Sequence, residues 1–242
     1  MRCARHRLMR SAGHHTCTEM VLEVCAYSLA SCRLAAQAGA GRIELCADPL
    51  QGGTTPSHGL IQAALETGLP VFPIIRPRGG DFHYTEEEVE VMLRDLRVCR
   101  QLGCTGIVTG ALRTDCTIDT ELMARLAGAA GPMQVACHKA FDEVPDTAAA
   151  LEALISMGYT RVLTSGLRPT ALEGASLIRE LVRQAGERIT VMPGGGVRST
   201  NLRELIEATG ATEFHSSALT ANSRHHTADE AELRAMVAAL RP

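Results

Sequence analysis

No apolar run in this 242-residue chain approaches the roughly 20 residues that a membrane-spanning helix requires, so no membrane span is expected. Charge of one sign is not in excess either. The 24 Lys and Arg stand against 27 Asp and Glu, a net −3 with both signs interspersed, which leaves no extended basic face and removes nucleic acid from the expected partners. The nine cysteines are an odd number without a single C-x-x-C pair, which fits a reduced, intracellular compartment better than a disulfide framework. Residues 1–19 lack the apolar core of a secretory signal and read as a disordered leader. Its Cys3, His6, His14, His15 and Cys17 follow no metal-site spacing and are assigned no function. No G-x-G-x-x-G follows the first strand, so a doubly wound nucleotide fold lacks its fingerprint, and 20–242 contains neither a low-complexity tract nor a linker.

What is present is a repeated theme. With 45% hydrophobic and 21% charged residues the chain has the composition of a protein with a sizeable core. From Met20 onward, short apolar runs alternate with loops and amphipathic stretches, the pattern of parallel strands joined by helical crossovers. Strands are expected near 21–25, 42–46, 70–76, 106–110, 133–138, 161–165, 189–193 and 212–216. A helix over 85–102 opens on Glu86, Glu87 and Glu88 and continues with Arg94, Arg97 and Arg100, a charge order that suits the helix dipole. Glycines at 39, 68, 103, 158 and 210 punctuate helix ends. Eight such units in a chain of this length predict an α/β fold, a single-domain TIM (β/α)8 barrel over 20–242, with its functional site at the carboxyl-terminal strand ends.

Strand alternation decides which side chains enter the barrel. In VLEVC, Leu22 and Val24 share the outer face, leaving Glu23 and Cys25 inside. In RIELC, Ile43 and Leu45 face the helices while Arg42, Glu44 and Cys46 point inward. The third strand ends in PVFPIIRPRGGD, with Arg76 at the rim and Arg78 and Asp81 in the loop. His138 and His215 point inward from the fifth and eighth strands. Barrel interiors are normally filled by branched apolar side chains, so this charged set fits two readings. One is a self-satisfied ion network, Glu23 and Glu44 neutralised by Arg42 and Arg76. The other is a functional site.

Cys25 and Cys46 lie on neighbouring strands about 4.8 Å apart, so a matching register would let them share a soft metal; otherwise they are two small buried hydrophobes. Two ligands are too few for structural zinc, and Cu(I) is the metal least contradicted. In PGGGV, Gly194, Gly195 and Gly196 stand where barrels of this kind cradle a phosphate or carboxylate, with Arg78 and His215 as further anion-binding candidates, or they simply make a tight turn.

The motifs LEVCAYS, RIELC, GGTTPS, PVFPIIRPRGGDF, TGAL, HKAFD, ALEAL, RVLTSG, ALEG and MPGGGVR together resemble the CutC copper-homeostasis family over nearly all of 21–218. The resemblance implies a cytoplasmic barrel protein, often homo-oligomeric, that handles copper and binds Cu(I) as its cofactor ion through cysteines falling at Cys25 and Cys46. Three positions depart from the family pattern: Cys137 and Lys139 flank His138 where the family has Phe-His-Arg, and Gln51 replaces a glutamate. The alternative expectation is an enzyme acting on a small anionic metabolite by acid/base chemistry. There His138 is the acid or base, Arg76 or Arg78 holds a carboxylate or phosphate, and Glu44 or Glu23 is the partner base.

Overall fold

The computed structural model describes residues 20–241, so the expected leader lies outside the described residues. Each β-branched or apolar run takes the extended form its stiff side chains favour. The strands are β1 (Val21–Ala26), β2 (Arg42–Leu45), β3 (Val71–Pro73), β4 (Gly106–Thr109), β5 (Gln134–Cys137), β6 (Arg161–Thr164), β7 (Thr190–Pro193) and β8 (Glu213–Ser216). Between and after them come α1 (Leu29–Ala38), α2 (His58–Leu65), α3 (Glu86–Leu102), α4 (Thr120–Ala130), α5 (Thr147–Ser156), α6 (Ala175–Ala185), α7 (Leu202–Thr209) and α8 (Glu230–Leu240). The predicted helix over 85–102 forms as α3. Thr85 and Glu88 make a reciprocal capping box, three glutamates occupy its first turn, and left-handed Gly103 ends it. None of these helices is long and apolar enough to cross a membrane.

All ladders are parallel and fall into two four-stranded sheets, ordered β3-β2-β1-β8 and β4-β5-β6-β7. Isolated bridges Ile74↔Val108 and Gly194↔His215 join them into a ring. The third strand is shorter than the expected 70–76, and Pro73, on the side facing β4, has no N–H to offer that neighbour. Beyond it Ile74 still donates to the Leu45 carbonyl of β2 at 3.0 Å, and Ile75 donates on the other side to the Val108 carbonyl of β4 at 2.7 Å.

Two apolar layers follow from strand alternation. Leu22, Val24, Ile43 and Leu45 join Met92, Leu96, Leu126 and Leu205 in the layer between ring and helices. Each such side chain, when fully buried, contributes roughly 1.5–3 kcal/mol. Inside the ring a smaller cluster contains Cys25, Cys46, Phe72, Ile74, Val108 and Ala136. The inward charged residues of β1, β2 and β8 share the ring with it.

Candidate functional site

The floor of the ring is an ion network. Register places Glu23 opposite both Arg42 and His215, and Cys25 opposite Glu44. Arg42 donates to Glu23 and, at 2.5 Å, to Glu213, while Arg161 donates to Glu213 at 2.7 Å. Both guanidinium groups lie over the Phe72 ring, at 5.2 Å for Arg42 and 5.6 Å for Arg161. Gly106 leaves room for that ring, since a Cβ there would stand 2.4 Å from it. The network anticipated from sequence is therefore half realised. Glu23 pairs with Arg42, but Arg76 has turned away from Glu44, and the closing members, Glu213 and Arg161, come from strands distant in sequence.

Above the floor, His215 stands between two carboxyls. Its Nδ1 is 2.8 Å from Glu23 and its Nε2 is 3.5 Å from Glu44. Burial would push the Glu23 carboxyl up, but the Arg42 charge and the bond to His215 outweigh it and hold the group at about 2. Glu44 has no arginine. Burial first, and charge on Cys25 second, push it well above the usual carboxylate range. Burial opposes charging of His215, but the acidic groups around the ring, Glu44, Cys25 and Glu23, raise it well above 6.5.

The two thiols meet at the top of this column, with 3.9 Å between Cys25 and Cys46 sulfurs and both side chains buried. The hydrogen bond between them lowers Cys25 well below the usual thiol value, burial opposing and His215 assisting. The same bond, together with burial, holds Cys46 well above it. One proton thus serves two sulfurs. The donor atoms of Cys25, Glu44 and Cys46 lie within 4.8 Å of one another, as do those of Glu23, Glu44 and His215, so Glu44 belongs to both sets.

Beside the thiols opens a cavity of about 160 Å³ whose walls include Tyr27, Arg76, Phe82, His138, Lys139 and His215. His138 fits there because position 110 is glycine; a Cβ would lie 2.6 Å from its ring. Nδ1 of His138 accepts from the Ala140 N–H at 3.1 Å. Burial, and then the charge of Arg76, lower its pKa to about 3. The Arg76 guanidinium donates to the carbonyls of Gln51, Gly53 and Gly80 at 2.7, 2.9 and 2.7 Å. The remaining expected anion ligands stand apart from this cavity. Arg78 is engaged by Glu88 at 2.5 Å and Asp81 at 3.0 Å. Gly194 bridges to His215 in the ring wall, and Gly195 and Gly196 turn with positive φ, a Cβ on Gly195 approaching Lys139 Nζ to 3.4 Å.

A model of the CutC family matches residues 20–220 of this fold. The chain belongs to the CutC family. The copper homeostasis protein cutC homolog of Mus musculus is 51% identical over 199 residues, covering 82% of this chain and 73% of the relative. A CutC-family protein of Parabacteroides distasonis is 50% identical over 200 residues, covering 82% of each. The crystal structure of CutC from Streptococcus agalactiae matches with a TM-score of 0.79 and 34% identity, covering 83% of this chain and all (100%) of that one. Phosphoribosylanthranilate isomerase of Thermotoga maritima, at TM-score 0.61 and 12% identity over 91% of this chain and 98% of its own, shares the fold alone. The sequence resemblance and the TIM-type ring are thereby borne out. Sequence reading had not singled out Tyr27, Phe82 or Gly110 in the site. Their signal was spatial, because each acts on a residue from another strand or loop.

Proposed function

We propose that this CutC-family protein takes Cu(I) as its cargo at Cys25 and Cys46, with Glu44 as third donor, and handles copper in the cytoplasm. The observation that carries the reading is the pair of buried sulfurs 3.9 Å apart, one of them favoured as thiolate. Two metal–sulfur bonds of about 2.3 Å, the length in zinc thiolates, span that gap without moving either strand. Soft, polarisable thiolates in a low-coordinate site select Cu(I) over hard cations. The seven described cysteines are all free thiols, which suits a reducing compartment.

Binding displaces the proton that the two sulfurs share, so affinity rises with pH until that proton is lost without metal. The bond with Cys46, assisted by His215, favours the Cys25 thiolate beforehand, and His215 offsets the negative charge that two thiolates accumulate. The test is anaerobic titration of the reduced protein with Cu(I) against a competing chelator. Tight binding is expected in the wild type and its loss in the C25S/C46S double variant. Binding that survives the double substitution sinks the reading.

A further inference from the structure

Arg76 and His138 are 5% and 4% exposed, and both line the cavity beside the thiols. Arg76 is a buried cation with no ion pair to any carboxylate of the described residues; its terminal nitrogens meet backbone carbonyls and its Nε meets nothing. A buried charge without a counter-charge is costly, and a buried donor without an acceptor costs about 1–3 kcal/mol. His138 repeats the situation. With Nδ1 accepting from Ala140, the neutral ring carries its proton on Nε2, and Nε2 also has no partner. That tautomer makes His138 a donor at Nε2 and not a base. Lys139 adds a second cation at the rim, only loosely paired with Asp142 at 3.5 Å. Ile74, Leu163 and Phe82 form an apolar patch of the wall, and Cys25, Glu44, Tyr27 and His215 line its copper side. The Phe82 ring is half-buried and packs on both groups, 4.8 Å from the His138 ring and 4.9 Å from the Arg76 guanidinium carbon. Its backbone is anchored by the Leu112 N–H to Phe82 carbonyl bond, so the ring is the part free to give way.

We infer that this cavity binds a small organic carboxylate whose oxygens accept from Arg76 Nε and His138 Nε2 while its carbon skeleton lies against Ile74, Leu163 and a displaced Phe82. The bound carboxylate supplies the missing counter-charge for Arg76, which a water molecule does not. The apolar patch of Ile74, Leu163 and Phe82 selects an organic acid over an inorganic ion. The site shares a wall with the copper site, since Cys25 and Glu44 line the cavity, but the groups that grip the carboxylate, Arg76 and His138, are not among the copper donors.

The experiment is calorimetric titration of the full-length, metal-free, reduced protein with acetate, lactate, succinate and citrate, with inorganic phosphate as comparison. The ¹⁵N signal of the His138 Nε2–H is followed through the same titrations. At least one carboxylate is expected to bind with a Kd at or below about 1 mM and to move that signal along the same curve. In His138→Phe, whose folding is checked by thermal melting, affinity falls about tenfold, the scale of one lost hydrogen bond to a charged group. In Cys46→Ser, a copper donor that does not line the cavity, carboxylate binding persists, so failure here and failure of the copper reading are told apart. The inference is overturned if no carboxylate binds, if phosphate binds as tightly as the best carboxylate, or if binding leaves the Nε2–H signal unmoved.

Discussion

Arg42 and Arg76 are both buried inside one ring, at 4% and 5% exposure, yet they live in opposite ways. Arg42 lies between two carboxylates, Glu23 and Glu213, and over an aromatic face, so every need of its charge is met within the fold. Arg76 also lies over an aromatic ring, Phe82, but among the described residues it meets carbonyl dipoles in place of carboxylates and keeps an idle Nε. The floor of the barrel is a closed account of charges and the mouth is an open one. Inward charge in a barrel is therefore not by itself a sign of function; the incompleteness of its pairing is.

The sharpest way to break this comparison is to remove each guanidinium in turn. Arg42→Met leaves Glu23 with His215 alone and Glu213 with Arg161 alone, and is expected to destabilise by about 3–5 kcal/mol, as buried networks do when a central partner is lost. Arg76→Met frees only neutral carbonyls and also removes an uncompensated charge, so its cost should stay near 1–3 kcal/mol. Urea unfolding of both variants checks the order, and equal costs would erase the distinction.

Acid unfolding sharpens it further. His138 titrates at about 3 in the fold against 6.5 for the free side chain, so between those values the unfolded chain binds the extra proton. Stability falls as pH drops through that window, by up to about 1.4 kcal/mol per pH unit, and His138→Phe should flatten this slope. Glu23 acts lower down. Its contribution is fully present above 4.5 and is lost as pH falls through about 2, in wild type and variant alike. A variant curve parallel to the wild type between 6.5 and 4.5 would contradict the assignment.

Gly110→Ala is the smallest of the three effects. The new methyl, 2.6 Å from the His138 ring, has to displace it, at a cost of about 1–3 kcal/mol by thermal melting and with the His138 Nε2–H signal shifted.

Much of this was readable in the chain. Strand alternation alone put Glu23, Cys25, Glu44, Cys46, His138 and His215 inside the ring, because period two leaves no other choice once Leu22, Val24, Ile43 and Leu45 are assigned outward. Pairing was not readable. Glu213 reaches Arg42 only because the ring closes β8 against β1, and Arg76 leaves Glu44 because loop carbonyls at Gln51, Gly53 and Gly80 come within its reach. Sequence lists which charges are inside; ring closure and loop shape decide which of them meet. The expected extent of the third strand failed for a local reason: Pro73 has no N–H to offer β4, so that side is held by the Ile75 bond to Val108.

Two single bridges, Ile74 to Val108 and Gly194 to His215, join the two four-stranded sheets into the ring, so ladder pairing is sparsest at those two joins. Arg76 follows directly on the first join and sits on the β1–β3 half; His138 stands on the other. An occupant gripping both is a clasp across the join. It should make the two halves come apart together, merging their amide-exchange rates into one, where the empty protein lets each half breathe on its own.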